Sequence, residues 1–348
     1  LKTPTTGTTP LVSIGLPVFN GMPYLEEAIS TLLAQVGCSF ELIISDNASS
    51  DGTSEYCRRQ AAHDPRIRYR RNAENIGALN NFTAVLNSAR GQYFMWASHD
   101  DRWNCEFASA LAATLDAAPD AVLATPIVLH TNADGSMRND PVDRPAAGEP
   151  GLANLKILCT DHAVSWIYGL YRTDWLRRHR DEMDRYPMWG FDCLWLADVS
   201  LRYKVVGSQQ AMLWKRLRRS GYAPRTSRAV VAFWAYMFWY FAQTSFRRGR
   251  NRREQLTILA ISWSYVYRLC IQRPNLPRTV WRVVRMVTLA ALTCVPAGLW
   301  NLVRRRKLPV TVSLPEMSMS ETPMPEISQS GQHAIPRIAS SDDISKAA

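Results

Sequence analysis

The chain is poor in cysteine and has no C-x-x-C pair: seven cysteines lie singly at 38, 57, 105, 159, 193, 270 and 294. An odd, dispersed set excludes a disulfide framework and a structural zinc pattern, and it fits buried thiols in a reducing compartment. The opening LKTPTTGTTPL lacks the charged-then-apolar pattern of a secretory signal, so secretion is not expected. A glycine-rich basic phosphate loop is missing after the first apolar run, where LPVFNGMPYLEE stands, which argues against a nucleotidyltransferase. No internal repeat is visible, which excludes a solenoid or propeller.

What is present fits a globular protein with a sizeable core: 348 residues, 47% hydrophobic and 20% charged, enough for two domains or one with an appendage. The charge is unevenly spread. Residues 1–149 hold 11 Lys and Arg against 17 Asp and Glu; residues 150–307 hold 28 against 8. An acidic half joined to a strongly basic one suggests a catalytic part and an anion-facing part.

Short apolar runs alternate with helical patterns from residue 11 onward. Strands are expected at 11–19, 40–46, 66–71, 92–98 and 121–129, and helices at 22–35, 49–62, 75–90 and 105–119. That order predicts an α/β protein, a Rossmann-like, mainly parallel sheet with flanking helices. Beyond it, TNADGS (131–136) reads as a hairpin turn, 137–151 as a Pro/Gly loop, 166–179 as a strand entering a helix, and 186–207 as a loop, a helix and a turn.

Ligands of such sheets bind beyond the carboxyl ends of the strands. Polar clusters fall there four times: Asn20, then Asp46 and Asn47, then Asn75 and Gly77, then Asp100 and Asp101. The last pair, in WASHDDRW, closes an apolar run. Carboxylate oxygens are preferred ligands of Mg2+ or Mn2+, and neither ion needs a full protein cage when a diphosphate supplies the other oxygens. A solvated turn would use the same residues.

Three blocks, VSIGLPVFNGMPYLEEAISTLLAQ, LIISDNASSDGT and NIGALNNFTAVLNSARGQYFMWASHDDRW, resemble in order, spacing and residue type the nucleotide-sugar half of a family 2 glycosyltransferase of GT-A fold. The likeness covers roughly residues 11–221. It implies an inverting, metal-dependent enzyme using a nucleoside diphosphate sugar. By the same resemblance Pro17 and Asn20 border base and ribose, Asp46 accepts a hydrogen bond from the base, and Asn47, Asn75 and Gly77 line the nucleotide pocket. HDD stands at the family's D-x-D motif, so Asp100 would meet ribose or donor sugar and Asp101 would ligate the metal. His99 replaces the first acid and reads as a neutral packing residue.

The block WGFDCLWLADVSL resembles the acceptor side of the family, where an acid follows a Gly-bearing loop and opens a helix. Asp192 is that acid. It is either a helix cap or the general base for the acceptor hydroxyl; Asp198, six residues on, ranks lower. After a later strand, LWKRLRRSGY has Arg218 where the family carries histidine. Arginine does not ligate metal but pairs well with phosphate, so Arg216, Arg218 or Arg219 would clamp the leaving group.

The rest of the basic half reads as membrane-facing. Residues 229–246 and 286–303 are each uncharged over 18 positions, barely a membrane span. A two-span hairpin would export the ten arginines of 247–285, against the positive-inside tendency. Helices lying on an anionic lipid surface fit better. No nucleic-acid recognition motif is visible, and residues 308–348 read as disordered.

The expected layout is a flexible 1–10, a GT-A domain over 11–225, a basic, apolar helical region over 226–307 associating with the cytoplasmic face of the membrane, and a tail over 308–348. The expected activity is sugar transfer to a hydroxyl of a lipid-linked or cell-surface glycan. The alternative is a non-catalytic relative that binds a nucleotide sugar or a membrane partner.

Overall fold

In a computed structural model of the chain, the residues described are 9–131, 146, 150–161, 163–183, 191–216, 239–241, 243–244 and 247–271. Four of the expected strands form: the apolar runs β1 (Val12–Val18), β2 (Phe40–Asp46) and β4 (Tyr93–Trp96), and the arginine-rich β3 (Ile67–Arg71). They pair in parallel in the order β3-β2-β1-β4, so their carboxyl ends share one edge. Val18, Asp46 and Arg71 lie in register along it.

The intervening helices are α1 (Leu25–Leu33), α2 (Thr53–His63) and α3 (Ala78–Ser88). In α1 the buried residues Leu25, Ala28, Ile29 and Leu32 recur at helical spacing, and Glu26 and Glu27 occupy the first turn, where the helix dipole favours acids.

The second half of the sheet departs from the mainly parallel sheet expected. β5 (Arg102–Trp103), β6 (Ala121–Thr131), β7 (Leu170–Arg172) and β8 (Lys204–Arg216) complete an eight-stranded order β3-β2-β1-β4-β7-β6-β8-β5. β7 runs antiparallel to β4 and β6, and β5 antiparallel to β8, while β6 and β8 are parallel. The sheet is therefore mixed. The antiparallel insertions are two and three residues long, too short to carry a periodic signal. The turn expected at the end of 186–207 is strand instead: β8 begins at Lys204 and runs on through the polar GSQQ, with an irregular register opposite Pro126.

α4 (Phe107–Asp116), α5 (Leu152–Asp161), a 3-10 turn (Val164–Tyr168), α6 (Thr173–Met183), α7 (Phe191–Arg202) and α8 (Arg252–Ile271) complete the described elements. α5 has no counterpart in the sequence reading. Two apolar cores cover opposite faces of the sheet. One joins Val12, Ile14 and Leu16 to α1 and α4; the other joins Phe94 and Trp96 to α3, α5, α6 and α7. At Gly15 the sheet and α3 approach so closely that a Cβ would lie 2.7 Å from Val85.

Phe241, Ile258 and Tyr265 are buried in the second core, so part of the basic half packs against the same side of the sheet as α5 to α7. No helix among the described residues is long and apolar enough to cross a membrane. The turn at 132–136, most of 137–149, Arg218 and Arg219, the run 286–303 and the tail 308–348 lie outside the described residues. The described cysteines 38, 57, 105, 159 and 193 form no disulfide with one another, and Cys57, Cys159 and Cys193 are buried.

Candidate functional site

The loops at the carboxyl edge are stitched to one another. The backbone N–H of Asn20 donates to Ser49 Oγ (2.9 Å), that of Gly21 to Thr53 Oγ1 (2.9 Å) and that of Met22 to Asp51 Oδ2 (2.9 Å). Asn20 Oδ1 in turn accepts the N–H of Ser50 at 3.0 Å. Asn20 sits at φ 49°, a conformation asparagine tolerates better than most residues. Its exposed position lies on the open side of the edge; Pro17 is buried within β1, in register with Ser45.

Asp46 is fully buried, and its carboxylate is consumed by its own loop. Oδ1 accepts the Ser49 N–H (2.9 Å); Oδ2 accepts the hydroxyls of Ser54 (2.5 Å) and Tyr69 (3.0 Å). Burial alone would raise its pKa, but the bonds from Ser49, Ser54 and Tyr69 outweigh it and hold the carboxyl below the usual range.

Asn47 is equally engaged. Its Oδ1 accepts from Asn72 Nδ2 (3.0 Å) and the Ile76 N–H (2.9 Å), and its Nδ2 donates to Asn75 Oδ1 (2.7 Å). These bonds fix the loop that enters α3, where Gly77 takes φ 84°, a left-handed conformation costly for a residue with a Cβ. Of the expected pocket residues, Asn20 and Asn75 are exposed and Gly77 half-buried, whereas Pro17, Asp46 and Asn47 act from beneath the surface.

The acidic pair divides the same way. Asp100 is half-buried and accepts the Ser98 hydroxyl at 2.5 Å. Asp101 is only 1% exposed. Its Oδ2 lies 3.2 Å from Lys215 Nζ and its Oδ1 accepts the Arg216 N–H at 3.0 Å, both from the end of β8. Asp101 thus has both oxygens engaged within the protein, and Asp100 is the acid nearer open space. Among the described residues no group of three His, Cys, Asp or Glu is arranged to hold a metal ion.

Asp192 lies half-buried in the first turn of α7, where its Oδ1 accepts the N–H of Cys193 at 2.8 Å. Burial raises its pKa, with that N–H and the charge of Lys215 pulling the other way. The Tyr168 hydroxyl, also raised by burial, is drawn down by Lys215 and pushed up by Asp101, Asp100 and Asp192. So the strand-end acids and the helix-end acid, 91 and more positions apart in sequence, share one electrostatic neighbourhood around Lys215 and Tyr168. Asp198 does not join them: it is bound to Arg202 (2.8 Å) and Arg248 (3.0 Å).

Arg216 is committed elsewhere. Its guanidinium pairs with Glu27 Oε2 (2.8 Å), donates to the Asp100 carbonyl (3.3 Å) and lies over the Tyr24 ring at 4.5 Å. Glu27 Oε1 also takes Arg102 at 2.9 Å, so α1, β5 and β8 are locked together beneath the acidic loop. Sequence reasoning missed Lys215, Tyr168 and Glu27: Glu27 and Lys215 stand inside quoted blocks, but no spacing ties either to the acidic loop, and Tyr168 lies outside every block.

Residues 13–180 match the model of Glycosyl transferase family 2. The chain is 34% identical over 94 residues to the putative teichuronic acid biosynthesis glycosyltransferase TuaG of Bacillus subtilis, covering 27% of this chain and 37% of that protein. It is 36% identical over 117 residues to the abequosyltransferase RfbV of Salmonella typhimurium, covering 32% and 35%. The aligned stretches thus span well under half the length of these relatives. Among solved structures, residues 1–349 of S. aureus TarS in complex with UDP-GlcNAc superpose with a TM-score of 0.59 at 19% identity, covering 74% of this chain and 72% of that one.

Proposed function

We propose that the chain, whose residues 13–180 match the Glycosyl transferase family 2 model on a mixed sheet, moves a sugar from a nucleoside diphosphate donor to a hydroxyl of a lipid-linked or cell-surface glycan, with inversion. The observation that carries this reading is the meeting of the acidic loop with the end of β8, where Asp101 pairs with Lys215 at 3.2 Å and Lys215 lies over the Tyr168 ring; Asp192, in the first turn of α7, feels the charge of the same lysine. UDP-GlcNAc bound to TarS, and the sugar transfers named for TuaG and RfbV, supply the analogy for the donor and the glycan acceptor.

In this reading Asn20, Asn75 and Gly77 face the nucleoside. Asp46 and Asn47 shape the pocket from below, through the turn and the asparagine network they hold. Asp192 takes the proton from the acceptor hydroxyl as its oxygen attacks the anomeric carbon. The bond from that carbon to the diphosphate breaks on the opposite face, and the electron pair leaves with the phosphate oxygen. A raised pKa suits a base working near neutrality.

A divalent cation fits through Asp100. Mg2+ keeps several waters and takes donor phosphate oxygens, so one or two carboxylates suffice, and Asp100 is the acid nearer open space while Asp101 is held behind it. Such an ion would neutralise charge on the departing diphosphate. Asp101, the ligand expected from the sequence, also ties the loop to β8 through Lys215 and the Arg216 N–H.

We place the layout as a GT-A domain to about residue 225, followed by a basic region resting on the cytoplasmic face of an anionic membrane. The 53% exposed Trp239 fits such a surface. The enzyme reading is tested by incubating the purified chain with UDP-, GDP-, CDP- and dTDP-sugars and Mn2+ and measuring release of the nucleoside diphosphate, in wild type and in Asp192→Asn. Release from one donor, lost in the variant, supports it; no release from any donor, with acceptor glycolipid present, sinks it. Flotation with vesicles containing and lacking anionic lipid tests the membrane surface.

A further inference from the structure

Two neighbouring cations at the end of β8 have opposite fates. Arg216 is held against Glu27, the Asp100 carbonyl and the Tyr24 ring, and its side chain keeps only 14% exposure. Lys215 is held by fewer groups. Its Nζ has one hydrogen-bond acceptor among the described residues, Asp101 Oδ2 at 3.2 Å, and rests over the Tyr168 ring at 4.5 Å. An ammonium carries three donors. One is answered by the carboxylate, the ring face covers a second side, and the side chain keeps 27% exposure.

The ammonium is therefore fixed in place with donor capacity to spare. It stands where Asp100 and Asp192, the acids assigned to the donor and acceptor sides, both feel its charge.

We propose that Lys215 is the phosphate-facing cation of the donor site: its remaining N–H donors take an oxygen of the nucleoside diphosphate, while Asp101 and the Tyr168 ring hold the ammonium in position. The proposal rests on the nucleotide-sugar reading above and names the residue that recognises the diphosphate in it. It gives the buried Asp101 a purpose, as the counter-charge that orients Lys215. It differs from the clamp expected from the sequence, which named Arg216, Arg218 or Arg219: of these only Arg216 lies among the described residues, and its guanidinium is paired with Glu27.

The test is calorimetric titration of the full chain with UDP, GDP, CDP and dTDP, each paired with its own nucleoside, once in EDTA and once with Mn2+. Wild type is compared with Lys215→Met and Lys215→Arg. The expected result is that Lys215→Met weakens the diphosphate by about tenfold to a hundredfold, the scale of a hydrogen bond to a charged group, and leaves the nucleoside unchanged. Lys215→Arg should restore part of the loss. Because Lys215→Met strands a buried carboxylate, the double variant Asp101→Asn/Lys215→Met, which removes both charges, is titrated alongside and should show the same selective loss. If wild type binds a diphosphate and the variants bind it equally well, or lose diphosphate and nucleoside together, the role of Lys215 is overturned. If wild type binds no nucleoside diphosphate in either condition, the nucleotide-sugar reading fails first and the lysine assignment falls with it.

Discussion

Lys215 Nζ and Asp101 Oδ2 lie 3.2 Å apart across 114 positions of sequence, joining the end of β8 to the acidic loop after β4. Both partners are shielded, Asp101 almost completely, so neither charge is cheaply left alone. Asp101→Ala should lower unfolding stability by about 3 kcal/mol, the scale for breaking a buried pair by removing one partner. Asp101→Asn/Lys215→Met should recover much of that loss, since the Asn oxygen still accepts the Arg216 N–H and no charge is stranded. Urea unfolding of the two variants checks this. Equal destabilisation would mean that the contacts of the loop, and not the charge pair, carry the energy.

For Asp192 the prediction concerns rate and pH. Asp192→Asn should reduce sugar transfer by about a hundredfold to ten-thousandfold, the usual range for a general base, with donor affinity little changed. The wild-type residue must be deprotonated to act, and burial raises its pKa. Activity should therefore rise with pH along a limb lying above the ordinary aspartate value of about 3.9. A pH profile of turnover in wild type and Asp192→Glu reads this directly. A limb at or below the ordinary value would count against Asp192 as the base.

The first half of the site was legible because β1 to β4 announce themselves. β1, β2 and β4 are short apolar runs ended by turn residues, β3 a short segment with Ile67 and Tyr69 alternating with arginines, and parallel pairing places their ends on one edge. What the runs do not encode is which polar residue faces outward. Asp46 and Asn47 satisfy neighbouring N–H and hydroxyl groups, as short polar side chains at strand ends readily do. That is why Asp46, expected to meet the base, is found closing its own turn. The second half was opaque for a different reason. β8 hides a polar midsection, and its two functional ends, Lys215 and Arg216, meet partners on α1, on the acidic loop and at Tyr168, whose distances in sequence follow no motif. Asp198 illustrates the converse: an acid on the right helix, drawn into a structural ion network by Arg202 and Arg248.

Asp46 should leave a signature in acid. Its folded pKa is held below the usual range, so the carboxylate contributes stability that is complete above the unfolded value, about 3.9, and is lost as pH falls through the lower folded value. Asp46→Asn should destabilise the protein by about 2 kcal/mol near pH 7, the cost of weakening hydrogen bonds to a buried charge. The gap to wild type should narrow as the pH drops below about 4, where the unfolded chain takes up the proton that the folded carboxyl resists, and close once the pH passes the lower folded value. Thermal melts of both proteins from pH 7 to pH 3 measure it. A gap that stays constant across that range would show that shape, not charge, is what Asp46 supplies.

Gly169 makes a steric prediction that reaches the site. It joins the 3-10 turn to β7 at an ordinary φ of −72°, so its need for glycine is not conformational. A Cβ there would run into the Ala124 carbonyl oxygen and come within 2.9 Å of Leu123 Cδ1 and 3.1 Å of the Trp166 carbonyl. Backbone atoms cannot swing aside, so Gly169→Ala should cost about 1–3 kcal/mol, as overpacking does. It should also shift the adjacent Tyr168, whose ring supports Lys215. The contrast is Gly52→Ala at the start of α2, where φ is 91° and nothing lies within 4 Å of the new methyl. That change should cost about 1 kcal/mol through backbone strain alone and leave the Lys215 surroundings untouched. Melting temperature together with nucleoside diphosphate affinity separates the two: Gly169→Ala should lower both, Gly52→Ala the first only. If Gly169→Ala loses stability yet binds diphosphate as wild type does, Tyr168 is not what holds Lys215 in place.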